Sequence, residues 1–393
     1  MTGNLSLGTV RPEDVAAVVN ALRAVYRPWL EDAALRFQKA VLEKGYPLKP
    51  GAAPGEPVED GTCVLFADGL RFDVGMRLLS ELEAEGLKVS VGRSWVALPS
   101  VTSTAKPAVS PLGGALDGNG CTEDFAPKVK GQDKLLTTDR FRKMLADAGT
   151  RYLPAGDAGD GQGRAWTEHG KIDKFGHEMG WELAKRVPEE VRSLAGRVRE
   201  LLDAGWRGVR VVTDHGWLLL PGGLPKVDLP GCLAESRWGR CASLKANAHT
   251  DLPVVPWYWN PDVRVAMAPG IARFVAGSDY AHGGLSLQEC VVPVLVVTSP
   301  AQKKVAAIVE MKWIGLRCKA VVQPAGTGLS MDLRTKPADP ATTIAGGGRP
   351  VEQDGLCSLV VEDDGLAGTA CAVVLIGDGT VIAKVATTVG GES

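Results

Sequence analysis

Only five histidines occur in the chain, at 169, 177, 215, 249 and 282, and three of them stand in a setting suited to a metal ion. His177 follows Asp173 by four residues in IDKFGHE, His215 follows Asp214 directly in VVTDHGW, and His282 lies in DYAHGGLS ahead of an apolar run. Asp68, in LFADGLR, adds a third carboxylate. Three carboxylates and three imidazoles supply the oxygen and nitrogen donors that zinc, manganese and similar divalent ions take. Each fragment alone has an ordinary explanation; an aspartate before glycine at a strand end, for instance, is commonly a helix cap. Gathered in a chain with so few histidines, they point to one site. His169 and His249 have no partner in the sequence and read as ordinary residues.

These residues need a scaffold, and the apolar pattern supplies one. TCVLFAD (62–68) is a short apolar run that closes on an acid, GLRFDVGMRLLSELEAEG then reads as a helix, and VRSLAGRVRELLDAG (191–205) as another. GVRVVTDHG (208–216) is a strand ending in Asp-His, and CVVPVLVVTS (290–299) is a further buried-strand candidate. Strands alternating with helices, each strand closing on polar residues, predict a mostly parallel α/β sheet flanked by helices. Ligands on such sheets gather at the carboxyl ends of the strands, where Asp68 and Asp214 fall.

Upstream, Val15, Val18, Val19, Leu22, Val25, Leu30 and Leu35 carry helical spacing over 13–45, and a Pro/Gly-rich linker follows at 47–61. Beyond about 302 the helical pattern stops, and short runs such as LRCKAVVQP, LCSLVVED and ACAVVLIGD alternate with turns. This predicts a C-terminal β-sandwich. The expected organisation is a helical N-terminal segment and linker at 1–58, a catalytic α/β domain at 59–300 and the sandwich at 301–393. The eight cysteines are scattered singly and read as reduced core residues.

A net charge of −2 gives the whole chain no strong pull on nucleic acid or membrane, so a polyanion must be held by a local patch or a metal. No stretch approaches the ~20 apolar residues of a spanning helix. MTGNLSLGTVRPEDV lacks the basic-then-apolar pattern of a secretory signal, and the expected location is cytoplasmic.

The succession DG, PSxT, DxxGH, DHG and HGG resembles the alkaline-phosphatase superfamily, and within it the nucleotide pyrophosphatase/phosphodiesterase arrangement. VLFADGLRFDV, ALPSVTSTAK, VVTDHGWLLLPGGLPK and YAHGGLSLQECVVPVLVV resemble the PglZ family, a component of BREX-type phage defence, over about 59–300. The resemblance implies two adjacent divalent ions, most simply zinc with manganese as the alternative. Asp173, His177 and His282 would hold one; Asp68, Asp214, His215 and the nucleophile would hold the other. The nucleophile slot falls on Thr102, with Ser103 its best rival and Ser100 and Thr104 nearby. No CxPxR-like context occurs, so sulfate esters are not expected. A threonine hydroxyl is a poor nucleophile at neutral pH, and binding to a divalent ion lowers its pKa by several units.

Arg71 and Lys106, three and four positions after Asp68 and Thr102, are candidates to complete an anion pocket. The amides of a helix starting near Thr102 would assist them. Lys226, Arg237 and Arg240 read as solvated surface. Trp257, Tyr258 and Trp259 in VPWYWN read as core or interface, with base stacking the alternative. The expected activity is phosphodiester hydrolysis on a nucleotide or nucleic acid, with other BREX proteins as partners and no membrane. The alternatives are a phosphomonoesterase or phosphomutase, and a metal-stabilised scaffold of a defence complex.

Overall fold

The computed structural model describes residues 11–52, 58–119, 124–231, 233–298, 306–325, 328–377 and 379–391. The chain divides into two compact units, Met1–Pro300 and Ala301–Ser393.

In the first unit, β1 (Thr62–Phe66), β2 (Lys88–Trp95), β3 (Thr150–Leu153), β4 (Arg164–Glu168), β5 (Gly208–Val212) and β6 (Val291–Thr298) form one sheet in the order β2-β6-β5-β1-β4-β3. β1 runs parallel to β4 and β5, and β3 parallel to β4. β6 is the exception, antiparallel to both β2 and β5. A parallel partner needs a crossover that returns the chain to the amino edge. Only a single helical turn, Leu287–Cys290, precedes β6, so it enters from the carboxyl edge and runs the other way.

The helices are α1 (Pro12–Lys44), α2 (Phe72–Ala84), α3 (Thr102–Val109), α4 (Thr138–Asp147), α5 (Ile172–Met179) and α6 (Leu183–Asp203). Strand residues alternate between two cores, as a period of two requires. Cys63, Leu65, Val209 and Val211 pack with Leu78 of α2 and Leu194 and Val198 of α6. Val64, Phe66 and Val212 face a second layer with Trp166, Phe141 and Trp257. That layer includes a four-stranded antiparallel sheet over 234–237, 241–244, 254–257 and 260–267, which the sequence pattern does not announce.

α1 runs unbroken through Pro28. Its buried face is Leu30, Ala34, Gln38 and Val41, whereas Val18, Leu22, Val25 and Leu35, taken from the sequence as its apolar positions, are exposed. Gln38 anchors the helix from within: its amide donates to the carbonyls of Ala268, Gly270 and Leu285 and accepts from Gly270 N. No helix among the described residues is long and apolar enough to cross a membrane.

The second unit consists of two antiparallel sheets, one of three strands (307–314, 317–323, 356–360) and one of four (349–350, 329–334, 370–377, 380–388). Both contribute to one core containing Trp313, Cys318, Met331, Leu333, Val373 and Leu375, the sandwich expected from the sequence. The strand at 329–334 escapes the sequence pattern because it buries charge: Asp332 and Arg334 pair at 2.8 Å, and Asp332 also accepts from the Thr343 hydroxyl. Six cysteines (63, 241, 290, 318, 357 and 371) are buried and unbridged, while Cys121 and Cys232 lie outside the described residues.

Candidate functional site

Every donor singled out in the sequence of the first unit leaves the sheet at its carboxyl edge. Asp68 follows β1, Thr102 opens α3 after β2, Asp173 and His177 lie on α5 after β4, and Asp214 and His215 follow β5. His282 precedes β6, whose antiparallel course starts at that same edge. Asp173 and His177 are four residues apart on one helix and therefore share a face.

The side chains converge. The donor atoms of Asp173, His177 and His282 lie within 4.8 Å of one another, as do those of Asp68, Asp173 and His215. Asp173 Oδ1 is common to both groups, 3.4 Å from His177 Nε2, 3.4 Å from His282 Nε2 and 4.0 Å from His215 Nε2. His215 Nε2 is 3.4 Å from Asp68 Oδ1, 3.6 Å from Asp214 Oδ2 and 3.3 Å from the Thr102 hydroxyl. The rings of His215 and His282 stack 3.8 Å apart.

Two features fit this cluster to divalent cations. His282 Nδ1 lies 3.0 Å from the Ser100 carbonyl and His215 Nδ1 3.1 Å from that of Gly216, so each Nδ1 carries the proton and each Nε2 turns a lone pair into the cluster. His177 Nε2 lies 3.0 Å from His282 Nε2 and 3.4 Å from Asp173 Oδ1, so the three donor atoms are within reach of a single cation. Moreover, Asp68 Oδ1 and Asp214 Oδ2 are buried without a hydrogen-bond partner among the described residues, and a buried carboxylate oxygen left so is costly. Oxygen and imidazole nitrogen together suit zinc or manganese.

The electrostatics reflect the crowding. Burial, then the neighbouring Asp214, raises the Asp68 carboxyl well above its ordinary value. Asp214 is pushed up to about 7 by burial and by Asp173. Burial acts on Asp173 too, but its bond to His177, and after that the neighbouring His215 and His282 imidazoles, outweigh it and hold that carboxyl low. His177 is raised by its bond to Asp173, whereas burial and His215 lower His282 to about 3.

Of the four hydroxyls at 100–104, only that of Thr102 faces the cluster. Ser100 donates to Gly284 O (2.9 Å), Ser103 to Asp124 O (2.6 Å) and Thr104 to Phe125 O (2.8 Å). Arg71 is paired with Asp73 at 2.5 and 2.8 Å and lies over the Trp217 ring. Lys106 is paired with Glu168 at 2.7 Å, over Phe66. His169 meets Ser193 at 2.8 Å, away from the cluster, and His249 is exposed.

Arg240 corrects the surface reading: it is fully buried, with a two-point contact to Glu289 at 3.1 and 2.9 Å. Lys226 pairs with Asp228 on the surface, and Arg237 donates to Leu229 O.

Tyr280 is a residue that sequence reasoning missed. Its hydroxyl donates to Asp173 Oδ1 at 2.8 Å and thereby orients the shared carboxylate. A hint lay in IDKFGHE, because Gly176 is where the Tyr280 ring rests: a Cβ there would come within 2.3 Å of a ring carbon. Glu289 likewise went unread. Its carboxylate accepts from Gly284 N at 2.8 Å and from Ser286 Oγ at 2.7 Å, which fixes the loop that carries His282.

The first unit is thus an α/β structure whose mostly parallel sheet gathers a carboxylate–imidazole cluster at its carboxyl edge. No family model and no curated protein matches the chain. Among solved structures, the chain is similar to murine ectonucleotide pyrophosphatase/phosphodiesterase 5 (ENPP5, NPP5), at 11% sequence identity and a TM-score of 0.38, over 61% of this chain and 88% of that one.

Proposed function

We propose that the first unit is a metal-dependent phosphodiesterase that cleaves nucleotide or nucleic-acid phosphoesters with Thr102 as nucleophile. The observation that carries this reading is the convergence of Asp68, Asp173, His177, Asp214, His215 and His282 around two orphaned carboxylate oxygens, with the Thr102 hydroxyl 3.3 Å from His215. Asp173, His177 and His282 would form one donor set; Asp68, Asp214, His215 and Thr102 would form the other. Two divalent cations held there, zinc or manganese, would neutralise phosphoryl oxygens and acidify the Thr102 hydroxyl.

Thr102 Oγ attacks phosphorus, the ester oxygen departs, and water then cleaves the phosphothreonine bond. Diesters are favoured over monoesters because Arg71 and Lys106 already face carboxylates. Their largely cancelled charge suits a monoanionic diester better than a dianionic monoester. The motif resemblance to PglZ supports a role in BREX-type phage defence with other BREX proteins as partners.

The test is turnover of bis(p-nitrophenyl) phosphate against p-nitrophenyl phosphate by the full chain, with zinc or manganese and after chelation. Diester turnover that disappears on chelation, and in Thr102→Ala with its metal retained, is the expected result. A monoester preference would favour a phosphomonoesterase or mutase. No turnover of either, with chelation lowering only the melting temperature, would leave a metal-stabilised scaffold. Full activity in Thr102→Ala would remove Thr102 from its role.

A further inference from the structure

The helix carrying Thr102 is poorly secured by its own backbone. α3 is eight residues long with Pro107 inside it. A proline has no N–H, so the Ser103 carbonyl loses the donor that helical geometry would give it. Rigidity at Thr102 must come from outside the helix.

It comes from the VPWYWN segment, which the catalytic reading leaves unused. Trp257 Nε1 donates to the Thr104 hydroxyl at 3.0 Å, and Trp259 Nε1 donates to the Thr104 carbonyl at 3.0 Å. Both indoles are buried, as is Thr104, whose hydroxyl donates in turn to the Phe125 carbonyl at 2.8 Å. A buried indole N–H needs an acceptor, but nothing requires two of them to choose the same residue.

The clamp is itself stiff. Trp257 ends the strand 254–257 and Trp259 lies in the two-residue turn before the strand 260–267, where Trp257 pairs with Asn260. Gly118 backs this turn so closely that a Cβ there would lie 2.5 Å from the Trp257 ring. Phe125, edge-on to Trp257 with ring centroids 6.2 Å apart, holds a left-handed backbone at φ 52°. That conformation is unfavourable for a bulky residue and persists only where packing imposes it.

We propose that Trp257 and Trp259 are positioning residues that aim the Thr102 hydroxyl at the donor cluster by holding Thr104 from two directions. The inference rests on the reading of Thr102 as nucleophile. Thr102 and Thr104 share the first turn of α3, so a shift at Thr104 reaches the hydroxyl that now lies 3.3 Å from His215. Misplacement of a reacting atom by about an ångström costs on the order of 100-fold in rate.

The experiment compares the parent with Trp257→Phe/Trp259→Phe, which keeps both rings but removes both N–H donors. A second pair sets Thr104→Val, which loses the hydroxyl, against Thr104→Ser, which keeps it. kcat and KM for bis(p-nitrophenyl) phosphate are measured with bound metal and melting temperature. The expected result is a kcat lowered roughly 10- to 100-fold in the double variant and in Thr104→Val, with KM and metal content at parental values and Thr104→Ser close to the parent.

Parental kcat in a folded, metal-replete double variant would overturn the inference. So would a kcat that falls only in proportion to metal content, since the indoles would then be packing alone. If the double variant does not fold, Thr104→Val against Thr104→Ser decides. Activity retained in Thr102→Ala would instead strike the nucleophile reading, so the two failures are distinguishable.

Discussion

Asp214 is fully buried beside other carboxylates, and one of its oxygens has no partner. Its carboxyl is pushed from 3.8 up to about 7, first by burial and then by Asp173. That displacement corresponds to roughly 4 kcal/mol between its two protonation states. The folded value lies above the unfolded one, so through that interval the folded chain keeps a proton the unfolded chain has released. In metal-free protein this contribution is fully present below the unfolded pKa and is lost as pH rises through about 7.

Asp68, also raised by burial, acts in the same direction, whereas His282, lowered to about 3 by burial, acts oppositely in acid. Asp214→Asn isolates the first contribution. In chelator, the melting temperature of the variant relative to the parent should climb between about pH 4 and about pH 7 and level off above, by several degrees for a few kcal/mol. Saturating zinc or manganese should reverse the order, because only the parent retains the full ligand set and the stabilisation that binding adds. A difference independent of pH in chelator, or an equal rise of both proteins with metal, would refute the reasoning.

Three further perturbations address how the site is built. Tyr280→Phe removes the hydroxyl 2.8 Å from Asp173 and should weaken metal binding about tenfold or more in a titration, with the fold retained; parental affinity would dismiss Tyr280 as an orienting group. Gly176→Ala sets a methyl against the Tyr280 ring, and a loss of about 1–3 kcal/mol with weakened metal binding is expected in melts and titrations; a parental melting curve would contradict the packing described. Arg240→Met strands the fully buried Glu289 charge and should cost about 3–5 kcal/mol in denaturant unfolding, with much of it recovered in Arg240→Met/Glu289→Leu; a near-neutral single variant would show that the ion pair carries little.

The placement of the candidate residues was legible wherever it was local. Asp173 and His177 sit four apart and needed only a helix to share a face, and Asp68 and Asp214 could be placed because apolar strands visibly end on them. The runs at 62–66, 208–212 and 291–298 declared their strands through short, largely apolar stretches. The direction of β6 was not readable, because direction depends on where the preceding loop delivers the chain. The antiparallel sheet over 234–267 was missed too, since its polar and proline-broken strands carry no clean alternation. Arg240 looks like a surface charge until Glu289, 49 residues later, is seen across from it.

The sequence by itself determined the inventory: residue types, short spacings, and the apolar periodicity that turns segments into strands and helices. Backbone sterics and side-chain burial act over a few residues, so they leave their mark in the order of amino acids. Only the tertiary structure decided that His177 and His282, 105 positions apart, meet at 3.0 Å, that Thr102 and not Ser103 faces His215, and that Trp257 and Trp259 close on Thr104. Those contacts arise from how whole layers pack, and packing is a property of surfaces that distant segments build together.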